Sequence, residues 1–360
     1  MAGIFGALGI YDNERVMLNT YGQRVVYDAV NQVLSEHNAA LQAAMSLFVE
    51  EVTSDYLIRY KLPGGGRLQR MTSQTRPGAV KATGEWDVAF PLEEFAAQVA
   101  SNRVDYAYMT TIDLDRHLKT VQMQNVNTVR HEILKRLFTS TQVQFPDPLH
   151  GLLRVEGLAN GDAVLYPPVI GSEVEATDAH YLESGYAAAD ISNANDPYVT
   201  MAAELTEHFG RPTGGTNLVT FINADETPET IALTAFVEVP DRYIRLGANT
   251  PEPIGLPATM PGRILGRHET AGTWVVEWPW IPSGYMVMVD IDAPPPLKMR
   301  VDPADTGLGY GLTLIADSDV YPFSASHYSN RFGFGCANRL NGVVMELAVG
   351  AGYTVPAVYQ

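Results

Sequence analysis

The chain has 360 residues, 46 % of them hydrophobic and 18 % charged, which excludes a disordered polymer and leaves room for a large core. Its formal charge is −17, from 24 basic and 41 acidic residues, a field that opposes nonspecific binding to nucleic acid. The single cysteine, Cys336, excludes an intrachain disulfide framework and a multi-cysteine zinc site.

The opening MAGIFGALGIY is apolar over too few residues to span a bilayer and lacks the basic flank of an export signal, so a soluble chain is expected. Residues 13–50 carry a helical pattern, with Asn13 as a candidate cap. Val26, Val30, Val33, Leu34, Leu41, Met45 and Phe48 recur at helical spacing there, and breaks are predicted at Gly22 and at residues 35–38. Residues 56–84 contain no Asp or Glu and hold Arg59, Lys61, Arg67, Arg70, Arg76 and Lys81, a local charge of +6 that leaves the remainder at −23. YLIRYKL and RLQRMT flank Pro63-Gly64-Gly65-Gly66, which predicts a strand–turn–strand hairpin; a surface loop is the competing reading. So polar a hairpin needs a partner surface. A basic arm on an acidic body points to contact with another copy of the chain.

From Asp113 to about Ser140 runs the longest helical pattern, with Leu114, Leu118, Val121, Val129, Ile133 and Leu137 in one stripe. At 1.5 Å per residue such a helix extends roughly 40 Å. After a strand-rich stretch, Asp196 and Pro197 form a cap and first helical turn, Leu205 and Phe209 share a face, and Gly210 ends the helix. A strand over 217–223 and a second helix from Pro228 through Ala235 complete an α/β-like lobe. Residues 264–290 turn to β, with Trp274, Val276, Trp278 and Trp280 at even spacing, and the last sixty residues read as short strands and turns.

Candidate chemistry is sparse. GFGCAN resembles half of a dinucleotide-binding loop, but the sixth place of that fingerprint is Asn338 and too little chain follows for a βαβ unit. Asp113, Asp115 and His117 are placed as a helix start, and Asp178, His180 and Glu183 as a surface loop, in preference to metal ligands. Trp274, Glu277, Trp278 and Trp280 raise a carbohydrate-active enzyme or binding module as an alternative, although glycosidic chemistry needs two facing carboxylates. No catalytic, cofactor-binding or metal residue is assigned, and a structural role is expected.

GRILG (262–266), WVVEWPWIPSGYMVMVD (274–290), PPPLKMRVDP (294–303) and RFGFGCANRLNGVVMELAVGAGYTVP (331–356) resemble, in order and spacing, the carboxyl-terminal part of tailed-bacteriophage major capsid proteins. The resemblance implies an α+β chain of the Hong Kong 97-type capsid fold. It implies an N-terminal arm over 1–51, an extended β-hairpin (the E-loop) over 52–92 and a peripheral domain over 93–165 with its spine helix at 112–140. An axial domain with connecting strands follows over 166–300, and a return to the peripheral domain over 301–360. The implied function is a structural, non-enzymatic protein that self-assembles into hexamers and pentamers of an icosahedral phage head enclosing double-stranded DNA. An encapsulin-type nanocompartment shell is the alternative with the same fold. The implied partners are copies of itself, scaffolding, portal and decoration proteins, and packaged DNA, with no membrane; assembly in the host cytoplasm would yield the virion. Under this resemblance Arg59, Lys61, Arg67, Arg70, Arg76 and Lys81 make the intersubunit contact by charge, in preference to a covalent crosslink from Lys61 or Lys81 to Asn330. The turn at Asn341-Gly342 is expected to close a hairpin whose tip faces a neighbour.

Overall fold

A computed structural model describes residues 4–11, 14–61, 68, 70–71, 76, 85–208, 217–239, 260–316, 323–350 and 352–360. The chain runs α1 (Ile4–Leu8), α2 (Gln23–Met45), β1 (Val49–Thr53), β2 (Leu57–Lys61), β3 (Glu85–Ala89), β4 (Glu93–Asn102), α3 (Arg103–Tyr108) and α4 (Thr111–Phe138). There follow β5 (Val143–Asp147), β6 (Gly151–Val155), β7 (Tyr181–Glu183), α5 (Pro197–Thr206), β8 (Leu218–Ile222), α6 (Thr227–Ile231) and β9 (Phe236–Glu238). The rest is strand: β10 (Arg263–His268), β11 (Thr273–Glu277), β12 (Tyr285–Asp290), β13 (Leu297–Arg300), β14 (Thr313–Ala316), β15 (Phe323–Cys336) and β16 (Val343–Glu346).

Mixed helix and sheet is thus as expected, in two main layers. A seven-stranded sheet has the order β7-β16-β12-β8-β11-β10-β9, and a five-stranded one the order β1-β13-β15-β14 with β4 also on β15. In the centre of the larger sheet all five residues of β8 are buried, because both its faces are covered. Val219 and Phe221 join Val287, Val289 and Val344 in the main core, whereas Leu218 and Ile222 join Met286, Met288, Val343 and Met345 under α5. The period of two thus splits one sheet between two cores.

Helix α4 links two cores end to end. Thr110 and Asp113 form a reciprocal capping box, so the acid at that position starts the helix as expected. All six stripe residues are buried: Leu114, Leu118 and Val121 pack with α2, while Val129, Ile133 and Leu137 pack with the sheets. Helix α2 starts after Gly22, at a φ of 81° that suits glycine. The predicted break at 35–38 does not occur. His37 is buried 3.2 Å from the Asn125 amide, and the Asn38 side chain bonds the backbone of Tyr310 and Leu312, so tertiary partners satisfy polar groups that would otherwise favour a turn.

Asp196 caps α5 through the amides of Tyr198 and Val199, as expected, while Phe209, Gly210 and the candidate cap Asn13 lie outside the described residues. Helix α6 stops at Ile231 rather than Ala235, since Leu233 turns back onto the Thr230 carbonyl and Phe236 enters β9.

The last sixty residues are not all short strands. β15 runs for 14 residues because it has three partners in succession. Its first ten residues pair with β4, Ser326 to Ser329 also pair with β14, and Gly333 to Cys336 pair with β13. The glycines of GFGC serve a close crossing by the segment that leaves β3. A Cβ on Gly333 would lie 2.2 Å from the Pro91 carbonyl oxygen, and one on Gly335 would lie 2.6 Å from the Phe90 ring. Gly333→Ala should therefore lower unfolding free energy by about 1–3 kcal/mol in urea melts. Gly6→Ala, where no atom lies within 4 Å of the added methyl, should be neutral or stabilising. Equal midpoints for the two variants would refute the crossing.

The turn at Asn341-Gly342 corrects the expectation of a closing hairpin. β15 and β16 belong to different sheets, so the turn is a crossover between layers. Its residues are internal: Arg339 is fully buried, and Asn341 bonds both the amide and the carbonyl of Asp290.

Candidate intersubunit surface

The basic arm begins as a two-stranded ladder. β2 and β3 pair antiparallel, with Leu57 opposite Ala89, Arg59 opposite Asp87 and Lys61 opposite Glu85. Register therefore sets each of these two cations across from an acid. Arg59 meets Asp87 in a two-pronged contact, Nε to Oδ1 at 2.6 Å and Nη2 to Oδ2 at 2.9 Å, and Lys61 approaches Glu85 at 3.8 Å. The Arg59 hydrogen bond holds the Asp87 carboxyl below the usual carboxylate range. The stem thus compensates its own charge, which the sequence alone did not reveal. Arg70 and Arg76 are exposed, as are Leu68 and Met71 at 99 % and 65 % of their surface. Arg67, Lys81 and the proposed turn at 63–66 lie outside the described residues.

At its base the stem is rooted in the body. Trp86, Val88 and Phe90 alternate inward and are buried with Ala159 and Tyr166, and the Trp86 ring lies 5.7 Å from Tyr60 and 6.0 Å from Tyr166. Arg300, at the end of β13, donates through Nη1 to the Phe90 carbonyl and to Asp147 Oδ2, both at 2.8 Å. Asp147 Oδ1 in turn accepts from the Leu149 and His150 amides, and His150 stacks 3.7 Å from Tyr56. A buried, charge-assisted cluster therefore ties together the stem, the β5–β6 hairpin and the five-stranded sheet. Exposed charges project from a fixed base.

The other candidate residues fall elsewhere. Asn330, named as a crosslink acceptor, is 2 % exposed and donates its amide to Asn125 Oδ1 at 2.8 Å, inside the core. The tryptophans do not share a platform. Trp278 stacks against Phe48 in the main core, Trp280 carries the Arg130 guanidinium 3.5 Å from its ring centre, and Trp274 lies beside Arg267. Glu277 bonds Arg263 and Thr227. Asp178 and His180 are not in a surface loop: His180 is fully buried, and Glu183 turns away to the Gly352 amide. Cys336 is fully buried, and burial pushes its thiol up to about 12, which removes it from nucleophilic chemistry near neutral pH.

No family model matches the chain, and no curated protein matches it. Among solved structures, a chain of Mycobacterium phage Patience superposes with a TM-score of 0.66 at 19 % identity, over 96 % of this chain and 93 % of that one. The capsid of cyanophage P-SCSP1u follows at a TM-score of 0.48 and 12 % identity, covering 84 % and 86 % of the two chains. The capsid of the native GTA particle gives 0.46 and 12 %, covering 85 % and 90 %. The likeness to the phage Patience chain spans almost the whole molecule. The chain has the tailed-phage major capsid protein fold.

Proposed function

We propose that the chain is the major capsid protein of a tailed bacteriophage, a structural subunit that self-assembles into hexamers and pentamers of an icosahedral head around double-stranded DNA. The observation that carries this reading is the end-to-end fold match at a TM-score of 0.66 to a chain of Mycobacterium phage Patience. In this reading β2 and β3 are the stem of the E-loop, α4 is the spine helix of the peripheral domain, and the seven-stranded sheet with α5 and α6 forms most of the axial domain. The basic arm lies across an acidic neighbour, where Arg70 and Arg76 meet carboxylates and its strand edges are covered. Copies of itself are the first partners; scaffolding, portal and decoration proteins and packaged DNA follow from the same reading. Among the described residues no helix is long and apolar enough to cross a membrane.

Negative-stain microscopy of the purified full chain tests the proposal. Closed shells or capsomer rings are expected. A monodisperse monomer under every assembly condition would overturn it. Shells purified from infected cells should contain double-stranded DNA; shells that hold cargo enzymes and no DNA would move the assignment to an encapsulin-type compartment.

A further inference from the structure

A buried histidine cluster lies beside α5, and its hydrogen bonds suit it to holding a ligand. Asp178 and His180 precede β7, and His208 follows the last turn of α5. Both imidazole Nε2 atoms lie 2.7 Å from one oxygen, Asp178 Oδ2. Each ring's other nitrogen faces a backbone carbonyl: His180 Nδ1 is 2.7 Å from the Gly342 oxygen, and His208 Nδ1 is 2.8 Å from the Pro167 oxygen.

These carbonyls decide the tautomers. A carbonyl only accepts, so both Nδ1 atoms carry hydrogen, and in the neutral rings both Nε2 atoms are lone-pair acceptors. Neutral rings would therefore set two lone pairs against one carboxylate oxygen, a mismatch that either a ring proton, as the 2.7 Å His208–Asp178 contact allows, or a metal ion resolves. His180 Nε2 is buried and makes no well-directed hydrogen bond despite its short distance to Asp178, and its side chain is fully buried. The remaining Asp178 oxygen is oriented by the Ala179 amide at 2.7 Å. More acceptors stand next to these. Ligand atoms of Asp178, Glu204 and Glu207 all lie within 4.8 Å of one another, and Glu207 Oε1 is 3.9 Å from His208 Nε2. The C-terminal end of α5 also presents its negative pole here.

We propose that His180 Nε2, His208 Nε2 and Asp178 Oδ2, with Glu207 as the fourth ligand, bind a divalent transition-metal ion of the zinc class. Two imidazoles with carboxylates match the ligand preference of such ions. Each histidine donates its second N–H to a backbone carbonyl, the outer-shell pattern that holds a ligating ring in place. Glu207, whose side chain is one-third exposed, gives the ion an entry path. The bound ion would tie three segments distant in sequence: the loop leading to β7, the end of α5, and the Gly342 turn that β16 follows. It would stiffen the subunit without requiring any neighbour.

The test uses the full-length chain, stripped with chelator and titrated with Zn²⁺ by calorimetry and with Co²⁺ by visible absorption. One ion per chain is expected, with Co²⁺ bands of a four- or five-coordinate site. His208→Ala and Asp178→Asn should each weaken Zn²⁺ binding about a hundredfold or more, beyond the roughly 10–100-fold cost of losing an outer-shell partner. Glu183→Gln, which lies outside the cluster, should bind as the parent does. Circular dichroism verifies that each protein is folded, and His208→Ala, which truncates a side chain just after the last turn of the helix, is the variant best placed to remain so. The absence of stoichiometric binding by the folded parent would overturn the proposal. Parent-like affinity in both His208→Ala and Asp178→Asn would do the same, as would imidazolium signals from both rings at neutral pH in a chain that takes up no metal.

Discussion

Reversing Arg67, Arg70 and Arg76 together to glutamate should abolish shell assembly and leave the subunit with its parent urea midpoint. The reason lies in how the arm's charge is distributed. Of its six basic residues, Arg59 and Lys61 already face Asp87 and Glu85 across the stem, so the attraction left for a neighbour rests on the residues beyond it. The triple reversal turns that outer segment acidic and sets it against a body that carries −23 without it. Each exposed intersubunit pair is worth only about 0–1 kcal/mol. In the proposed shell the contact would repeat around every capsomer, and like-charge juxtaposition would change the sign of each repeat. Parent assembly should likewise weaken as salt rises, because exposed charges are screened over about 8 Å at physiological ionic strength. Arg59→Glu is the poorer test: it would set glutamate opposite Asp87 and disturb the stem itself. Light scattering and negative-stain images of the triple variant check the prediction, and normal shells from a folded triple variant would sink the electrostatic role of the arm.

Much of the fold was legible from local pattern. The α4 stripe, the Asp196-Pro197 cap and the β8 strand all express periodicities or end signals contained within a few turns, and all three appear where expected. Residues 35–38 misled because the partners of Asn38 lie more than 270 positions away, at Tyr310 and Leu312. Asn341-Gly342 misled for a related reason. Its turn is real, but the strands on either side choose their partners from different sheets, and no local signal encodes that choice. The histidine cluster was half visible. Asp178 and His180 drew notice from spacing, whereas His208 comes to them through the fold and replaces Glu183. Charge compensation in the stem was hidden because register, not composition, places Arg59 against Asp87.

Arg339→Met should cost the subunit about 3–5 kcal/mol, the range for breaking a buried ion pair from one side. Arg339 stands in the middle of the RFGFGCANRLNG segment, and no part of its side chain reaches solvent. Its Nε donates to the Gly157 carbonyl at 3.0 Å, and Nη2 donates to the Leu158 carbonyl and to Asn160 Oδ1, each at 3.1 Å. Nη1 reaches Asp162 Oδ2 at 2.7 Å. One guanidinium thereby holds the whole 157–162 segment, two of whose carbonyls would otherwise be buried without donors. Methionine fills similar volume, so the loss would be polar rather than a cavity. Arg339→Lys should recover little, since a single ammonium cannot satisfy acceptors spread around a planar fork. Asp162→Asn should cost much less, because Asp162 is partly exposed and water can replace its share. Urea melts with an unchanged slope would attribute the shift to native-state stability. A methionine variant within about 1 kcal/mol of the parent would show that the 157–162 carbonyls find other donors, and that the turn before β16 is held by Asn341 and its Asp290 and Pro294 contacts instead.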